Sequence, residues 1–208
     1  MKGLYIAEQG PLIVLLDEAG TGQLLFSRME GKCSVFCRHP SNWDTEMSPW
    51  PAPGLNAERG NFPGGGEAFL NSLLEALPDA VAALPNPPTG IALAGYSLAG
   101  LFALWAGTKT DRFHMLLSAS GSLWYDGWNE YLAANPCLAE KVYLSLGKKE
   151  PDAKNARMRT VGDCTLRTED LLRAQGKDVT FRWNHGGHFT EPLNRLEEGV
   201  RWLLGAEK

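Results

Sequence analysis

The sequence predicts an α/β protein: an open, mostly parallel, doubly wound sheet with helices on both faces. Two observations carry this. Short apolar runs bounded by Gly, Pro or charge alternate with stretches whose apolar residues recur at three-to-four spacing. The runs are also apolar throughout, as in Ile91-Ala92-Leu93-Ala94, which suits strands buried on both sides. In such a sheet the ligand site lies beyond the carboxyl ends of the strands.

Taken in order, the first runs are 4–7, 12–16 after Pro11, and 34–37, each short enough for a strand. Residues 38–66 then hold Pro40, Pro49, Pro51, Pro53 and Pro63 with Gly54, Gly60, Gly64, Gly65 and Gly66. So long a connection inside a compact domain is usually functional. With Trp43 and Trp50 inside it, it reads as an ordered loop over the active face. Phe69, Leu70, Leu73, Leu74 and Leu77 form a helical face that Pro78 is expected to kink or end. The run 91–94 is a strand, and Leu101, Leu104 and Trp105 begin a helix just after Ser97. Strands follow at 115–119, 142–146 and 179–183. Met158, Val161, Thr165 and Leu172 predict one amphipathic helix before the last of them. The C-terminal helix shows Leu193, Leu196, Val200 and Leu203 on one face, with Thr190 as N-cap and Pro192 in the first turn. The expected organisation is one domain over 1–208.

Composition narrows the function. The 208 residues are 44% hydrophobic and 21% charged, a globular balance, with net charge −4 and no long basic run. Nucleic acid and a polybasic membrane contact are therefore not expected as partners. Cysteines at 33, 37, 137 and 164 match no zinc spacing, so no metal is expected. The N-terminus has no signal-peptide core and no stretch has ~18 apolar residues, so the expected location is the cytoplasm.

The strongest motif is Gly95-Tyr96-Ser97-Leu98-Ala99-Gly100, placed between a buried strand and a helix. That is the context of a nucleophile elbow, in which the serine occupies a tight positive-φ turn. Its neighbours two before and two after must be small, and Gly95 and Ala99 are. The turn lifts the Ser97 hydroxyl into the cleft and aims the Leu98 amide at a developing oxyanion. A serine nucleophile needs a base, and the base an orienting acid. His185 and His188 follow the last strand in Trp183-Asn184-His185-Gly186-Gly187-His188-Phe189. His188 is preferred, since the two glycines allow a turn that brings it back over the sheet with Phe189 packed beneath. His39 precedes the serine, and His114 at a strand start reads as packed or solvated. Glu150, three residues past Gly147, is the expected acid; Asp152 is its alternative, and a Ser–His pair without an acid is another. The second oxyanion amide is expected in the loop after the third strand, from Trp43 or from Asn42. Trp124 and Trp128, after the strand ending at Ala119, either line a substrate pocket or pack in the core. Tyr96, beside the nucleophile, is assigned with Trp124 to substrate binding.

These residues together resemble the α/β-hydrolase fold, and within it the esterase family related to esterase D and the enterobactin (siderophore) esterases. The resemblance runs from about residue 33 to 204. It rests on Gly95 to Ala103, Ser118-Ala119-Ser120-Gly121-Ser122-Leu123-Trp124, Gly147-Lys148-Lys149-Glu150-Pro151 and Gly187-His188-Phe189. It implies hydrolysis of a small-molecule carboxylic ester through an acyl-serine, with Ser97 as nucleophile, His188 as base, support for Glu150 over Asp152, and no cofactor. Ala99 stands where the family has glycine, and the chain leaves little room for the N-terminal lid domain of the larger siderophore esterases. Acyl transfer or thioester cleavage by the same serine, and a binding protein that keeps the fold without the chemistry, are the other readings.

Overall fold

The computed structural model describes residues 3–56 and 60–205; residues 57–59 of the 38–66 loop, and both ends of the expected 1–208 domain, lie outside them. The chain runs β1 (Leu4–Tyr5), β2 (Leu12–Leu15), α1 (Ala19–Arg28), β3 (Ser34–Cys37), α2 (Trp43–Glu46), α3 (Gly66–Ala82), β4 (Ile91–Tyr96) and α4 (Leu98–Lys109). It continues through β5 (Met115–Ala119), α5 (Trp128–Ala134), β6 (Lys141–Gly147), a 3-10 turn at Glu150–Asp152, α6 (Ala156–Arg159), α7 (Val161–Ala174), β7 (Asp178–Asn184) and α8 (Pro192–Leu203). The seven strands form one sheet in the order β1-β3-β2-β4-β5-β6-β7. Only the β1–β3 pair is antiparallel. Successive strands are added in one direction from β2 to β3 and in the other from β4 onward, so the winding reverses between β2 and β4, the place where such sheets open a crevice at the carboxyl ends.

Alternate residues of each strand feed two cores. Leu12, Val14, Phe36 and Leu93 face one side, where α3, α4, α5 and α7 pack. Ile13, Leu15, Val35, Ala92, Leu117 and Tyr143 face the other, covered by Leu25 of α1, by Met29 just after it, and by Leu196, Val200 and Leu203 of α8. Helix α4 is buried on nearly every side from Leu98 to Gly107, as the centre of a layered fold requires. Among the described residues no helix is long and apolar enough to cross a membrane.

Several expectations are corrected. The first strand keeps only two of its four predicted residues, Leu4 and Tyr5, at the sheet edge. Helix α1 has no counterpart in the sequence reading, because Gly20 and Gly22 weaken its signal by about 1 kcal/mol each. Tertiary packing overrides that cost: a Cβ on Gly22 would lie 1.9 Å from Cys37 Sγ, so the glycine lets α1 settle on β3. Pro78 neither ends nor bounds α3, which continues to Ala82. The single helix expected across 158–172 is two, α6 and α7, meeting at Thr160. Glu191, at φ 50°, holds the N-cap position of α8 in place of Thr190. The 38–66 loop contains α2 and an antiparallel bridge between Ala52 and Phe62.

Candidate active site

Strand β4 ends at Tyr96 and α4 begins at Leu98, leaving Ser97 alone in the turn at φ 59°, ψ −124°. Positive φ is costly for a residue with a Cβ and persists only where its surroundings demand it. Here the demand is visible: a Cβ on Gly95 would sit 2.2 Å from the Ala99 carbonyl oxygen. The turn brings Ser97 Oγ to 3.0 Å from His188 Nε2. On the far side of the ring, His188 Nδ1 lies 2.7 Å from Glu150 Oε2. Ser122 Oγ is 3.4 Å from Ser97 Oγ.

Each partner is held by its own strand end. Glu150 follows β6 and is 8% exposed, and its Oε1 accepts from the Gly147 amide at 2.8 Å. Burial alone would raise its carboxyl, but the hydrogen bond and charge of His188, with the Gly147 amide and Ser120, hold it below the ordinary range. His188 follows β7 through Gly186, at φ +77°, where a Cβ would strike Thr190 Oγ1 at 2.4 Å. Thr190 closes this loop by accepting from the Gly187 amide at 3.1 Å rather than capping α8. Burial pushes the Cys33 and Cys37 thiols up to about 12, which leaves neither as a competing nucleophile.

Ser97, Leu98, Ser122 and His188 border a cavity of about 360 Å³, within the range of small-molecule sites. Trp43, Leu55, Phe62, Tyr96, Trp124 and Phe189 give it an apolar wall. Leu98 is the first residue of α4 and Trp43 the first of α2, so neither amide has an acceptor within its helix. Asn42 instead caps α2, its Oδ1 accepting from the Thr45 amide at 3.0 Å.

The remaining predicted residues differ in their placement. Trp128 is 1% exposed and donates through Nε1 to Thr168 Oγ1 at 2.9 Å, tying α5 to α7, and it is not among the residues that border the Ser97 cavity. Phe189 is not beneath His188 but 89% exposed, its ring edge-on to the imidazole at 5.0 Å. Asp152 is exposed and borders a neighbouring cavity of about 210 Å³ with Lys149 and Glu150. His185 is exposed, and His114 accepts from the Ile91 amide at 3.1 Å, a structural contact. Tyr96 borders the cavity and its hydroxyl donates to the His188 carbonyl oxygen.

Leu55 and Phe62 of the cavity wall were not assigned from sequence, and neither was a buried arginine behind the acid. Arg195 of α8 is 2% exposed and reaches Glu150 Oε1 at 2.8 Å. It stands one position from Leu196 of the helix's apolar face, and Gly147 leaves room for it, since a Cβ there would meet Arg195 Nη2 at 2.8 Å.

A family model described as Putative esterase matches residues 33–188. The uncharacterised protein YbbA of Bacillus subtilis is 27% identical over 144 residues, 66% of this chain and 57% of that protein. The aligned part thus spans little more than half of that relative. Among solved structures, the siderophore hydrolase EstA of Aspergillus nidulans superposes with a TM-score of 0.74 at 19% identity, over 97% of this chain and 84% of that one. An IroE-like serine hydrolase of Shewanella oneidensis gives 0.72 at 20%, over 95% and 71%. The enterobactin esterase of Shigella flexneri gives 0.69 at 20%, over 97% of this chain but 54% of that one. At these identities the likeness establishes the α/β-hydrolase-type fold.

Proposed function

The chain belongs to the Putative esterase family, and from that premise we propose that it hydrolyses small carboxylic esters through an acyl-serine intermediate. Ser97 Oγ attacks the acyl carbon while His188 Nε2 takes its proton. Glu150 holds the imidazole with Nδ1–H toward the carboxylate and balances the imidazolium that forms. The tetrahedral oxyanion is held by the amides of Leu98 and Trp43. His188 returns its proton to the leaving alkoxide, and the alcohol departs. A water molecule, deprotonated by the same imidazole, then attacks the acyl carbon, and the acid leaves as Ser97 recovers its proton.

The observation that carries this reading is the 3.0 Å contact between Ser97 Oγ and His188 Nε2, with the Glu150 contact of 2.7 Å behind it. Both fall within the distance for proton transfer between hydrogen-bonded groups. The apolar wall of the cavity, with Trp124 and Tyr96 in it, favours an uncharged acyl group of modest size. A fluorophosphonate probe and a panel of p-nitrophenyl esters test the reading. Ser97 takes the label and short esters turn over in the parent, whereas Ser97→Ala loses about 10⁴-fold or more in kcat. Parent-level turnover by Ser97→Ala overturns it.

A further inference from the structure

Arg195 makes more contacts with the candidate site than any helix anchor requires. Its Nη1 donates to Glu150 Oε1 at 2.8 Å and to Ser120 Oγ, with Tyr96 Oη at 3.3 Å. Its Nη2 donates to the carbonyl oxygens of His185 at 2.9 Å and Gly187 at 2.7 Å. One guanidinium therefore touches the ends of β4 and β5, the turn after β6, and the loop that carries His188. Anchoring α8 needs none of this, because Leu196, Val200 and Leu203 already bury its face against the sheet. An apolar side chain of similar volume often serves stability as well as a buried ion pair.

The chemistry lies in which atoms are engaged. Glu150 has two carboxylate oxygens. Gly147 N–H and Arg195 occupy Oε1, which leaves Oε2 to His188 Nδ1. The second arm of the fork holds the two carbonyls that flank the Gly186 turn. A planar guanidinium fixes the separation of its two nitrogens, so the acid and the loop bearing the base are set at one distance by a rigid group; an ammonium on a flexible stem does not do this. Tyr96 adds a second tie, since its hydroxyl lies between Arg195 and the His188 carbonyl oxygen.

We propose that Arg195 is a positioning residue for the Ser97–His188–Glu150 set, holding Glu150 with Oε2 toward the imidazole and the 185–188 loop at proton-transfer distance from Ser97. This rests on the serine-hydrolase reading above. Arg195 touches no substrate and acts through Glu150 and the loop.

The test is a double-mutant comparison on the full chain. Arg195→Met and Arg195→Lys are each made in the parent and in Glu150→Gln, with folding followed by near-UV circular dichroism. With a short p-nitrophenyl ester, Arg195→Met lowers kcat by about 10²-fold while KM moves less than about threefold. Arg195→Lys, which keeps the charge and loses the fork, recovers about tenfold of that. In Glu150→Gln the same Arg195→Met change costs no more than about threefold, because residues that act as a unit are non-additive. Equal fold losses in the two backgrounds overturn the proposal, as does a kcat for Arg195→Met within twofold of the parent. If Arg195→Met does not fold, Arg195→Lys decides by the same comparison: a kcat loss confined to the Glu150 background supports the proposal, and an equal loss in both, or none in the parent, overturns it. Fluorophosphonate labelling of the parent separates the two claims. No adduct at Ser97 sinks the serine-hydrolase reading and this one with it; an adduct with additive losses sinks this one alone.

Discussion

Gly95 has no room for a side chain, since the nearest atom to a Cβ there would be a backbone oxygen that cannot move aside. Gly95→Ala should therefore lower stability by about 1–3 kcal/mol and reduce kcat by distorting the Ser97 turn, as read by urea melts and ester kinetics. Glu150 supplies a second prediction. Its folded carboxyl lies below the ordinary glutamate range, so its ionisation contributes stability that is present at higher pH and lost as pH falls through the folded value. Melting temperatures measured from pH 7 to pH 3 should fall more steeply for the parent than for Glu150→Gln; parallel curves would contradict the assignment. At pH 7, Glu150→Gln should cost about 10²-fold or more in kcat while Asp152→Ala stays within about twofold, because it is the Glu150 carboxylate that meets His188 Nδ1.

Helix α8 covers the β4–β6 side of the sheet and carries Arg195 into it. Gly199 sets how closely it lies: a Cβ there would be 2.5 Å from Leu117 Cδ1 and 2.7 Å from Tyr143 Cδ1. Replacing it by valine should push the helix outward, costing about 1–3 kcal/mol in a urea titration. Activity should fall with it, because the guanidinium moves with the helix. Glycine plays the same part in α1, where close approach to β3 outweighs poor helical propensity. In both helices the residue that looks weakest by propensity is the one that lets the layer close. Such glycines are invisible to a periodicity argument, which counts only side chains that are present.

At the scale of the molecule, the candidate site lies where two segments meet above the sheet. The 38–66 loop supplies Trp43, Leu55 and Phe62, and the segment after β6 supplies Met158. They are clasped by Arg157, which donates to the carbonyl oxygens of Pro53 at 2.8 Å and Gly54 at 3.1 Å, and by Asn155, which donates to Leu55. Arg157 also pairs with Asp126 and lies over the Trp124 ring. Arg157→Ala should loosen this wall and raise KM about fivefold with kcat within about twofold, since the clasp does not reach the reacting atoms. A fall in kcat with KM unchanged would show that the clasp orders the serine side of the cavity instead.

The strand segments, the tight turn at Ser97 and the positions of Glu150 and His188 after their strands were readable because each depends on local, short-range rules: apolar runs, small residues at a tight turn, chain order along a parallel sheet. Trp124 and Trp128 share one loop and one residue type, and only packing separated the wall of a cavity from the core between α5 and α7. Arg195 was hidden for a similar reason, because a guanidinium beside an amphipathic face reads as solvated until four strand-end segments converge on it. Local sequence determined the core strands and the turn at Ser97; the tertiary structure decided where glycine-bearing helices such as α1 could pack, which polar groups lost water together, and so which of them had to be partners.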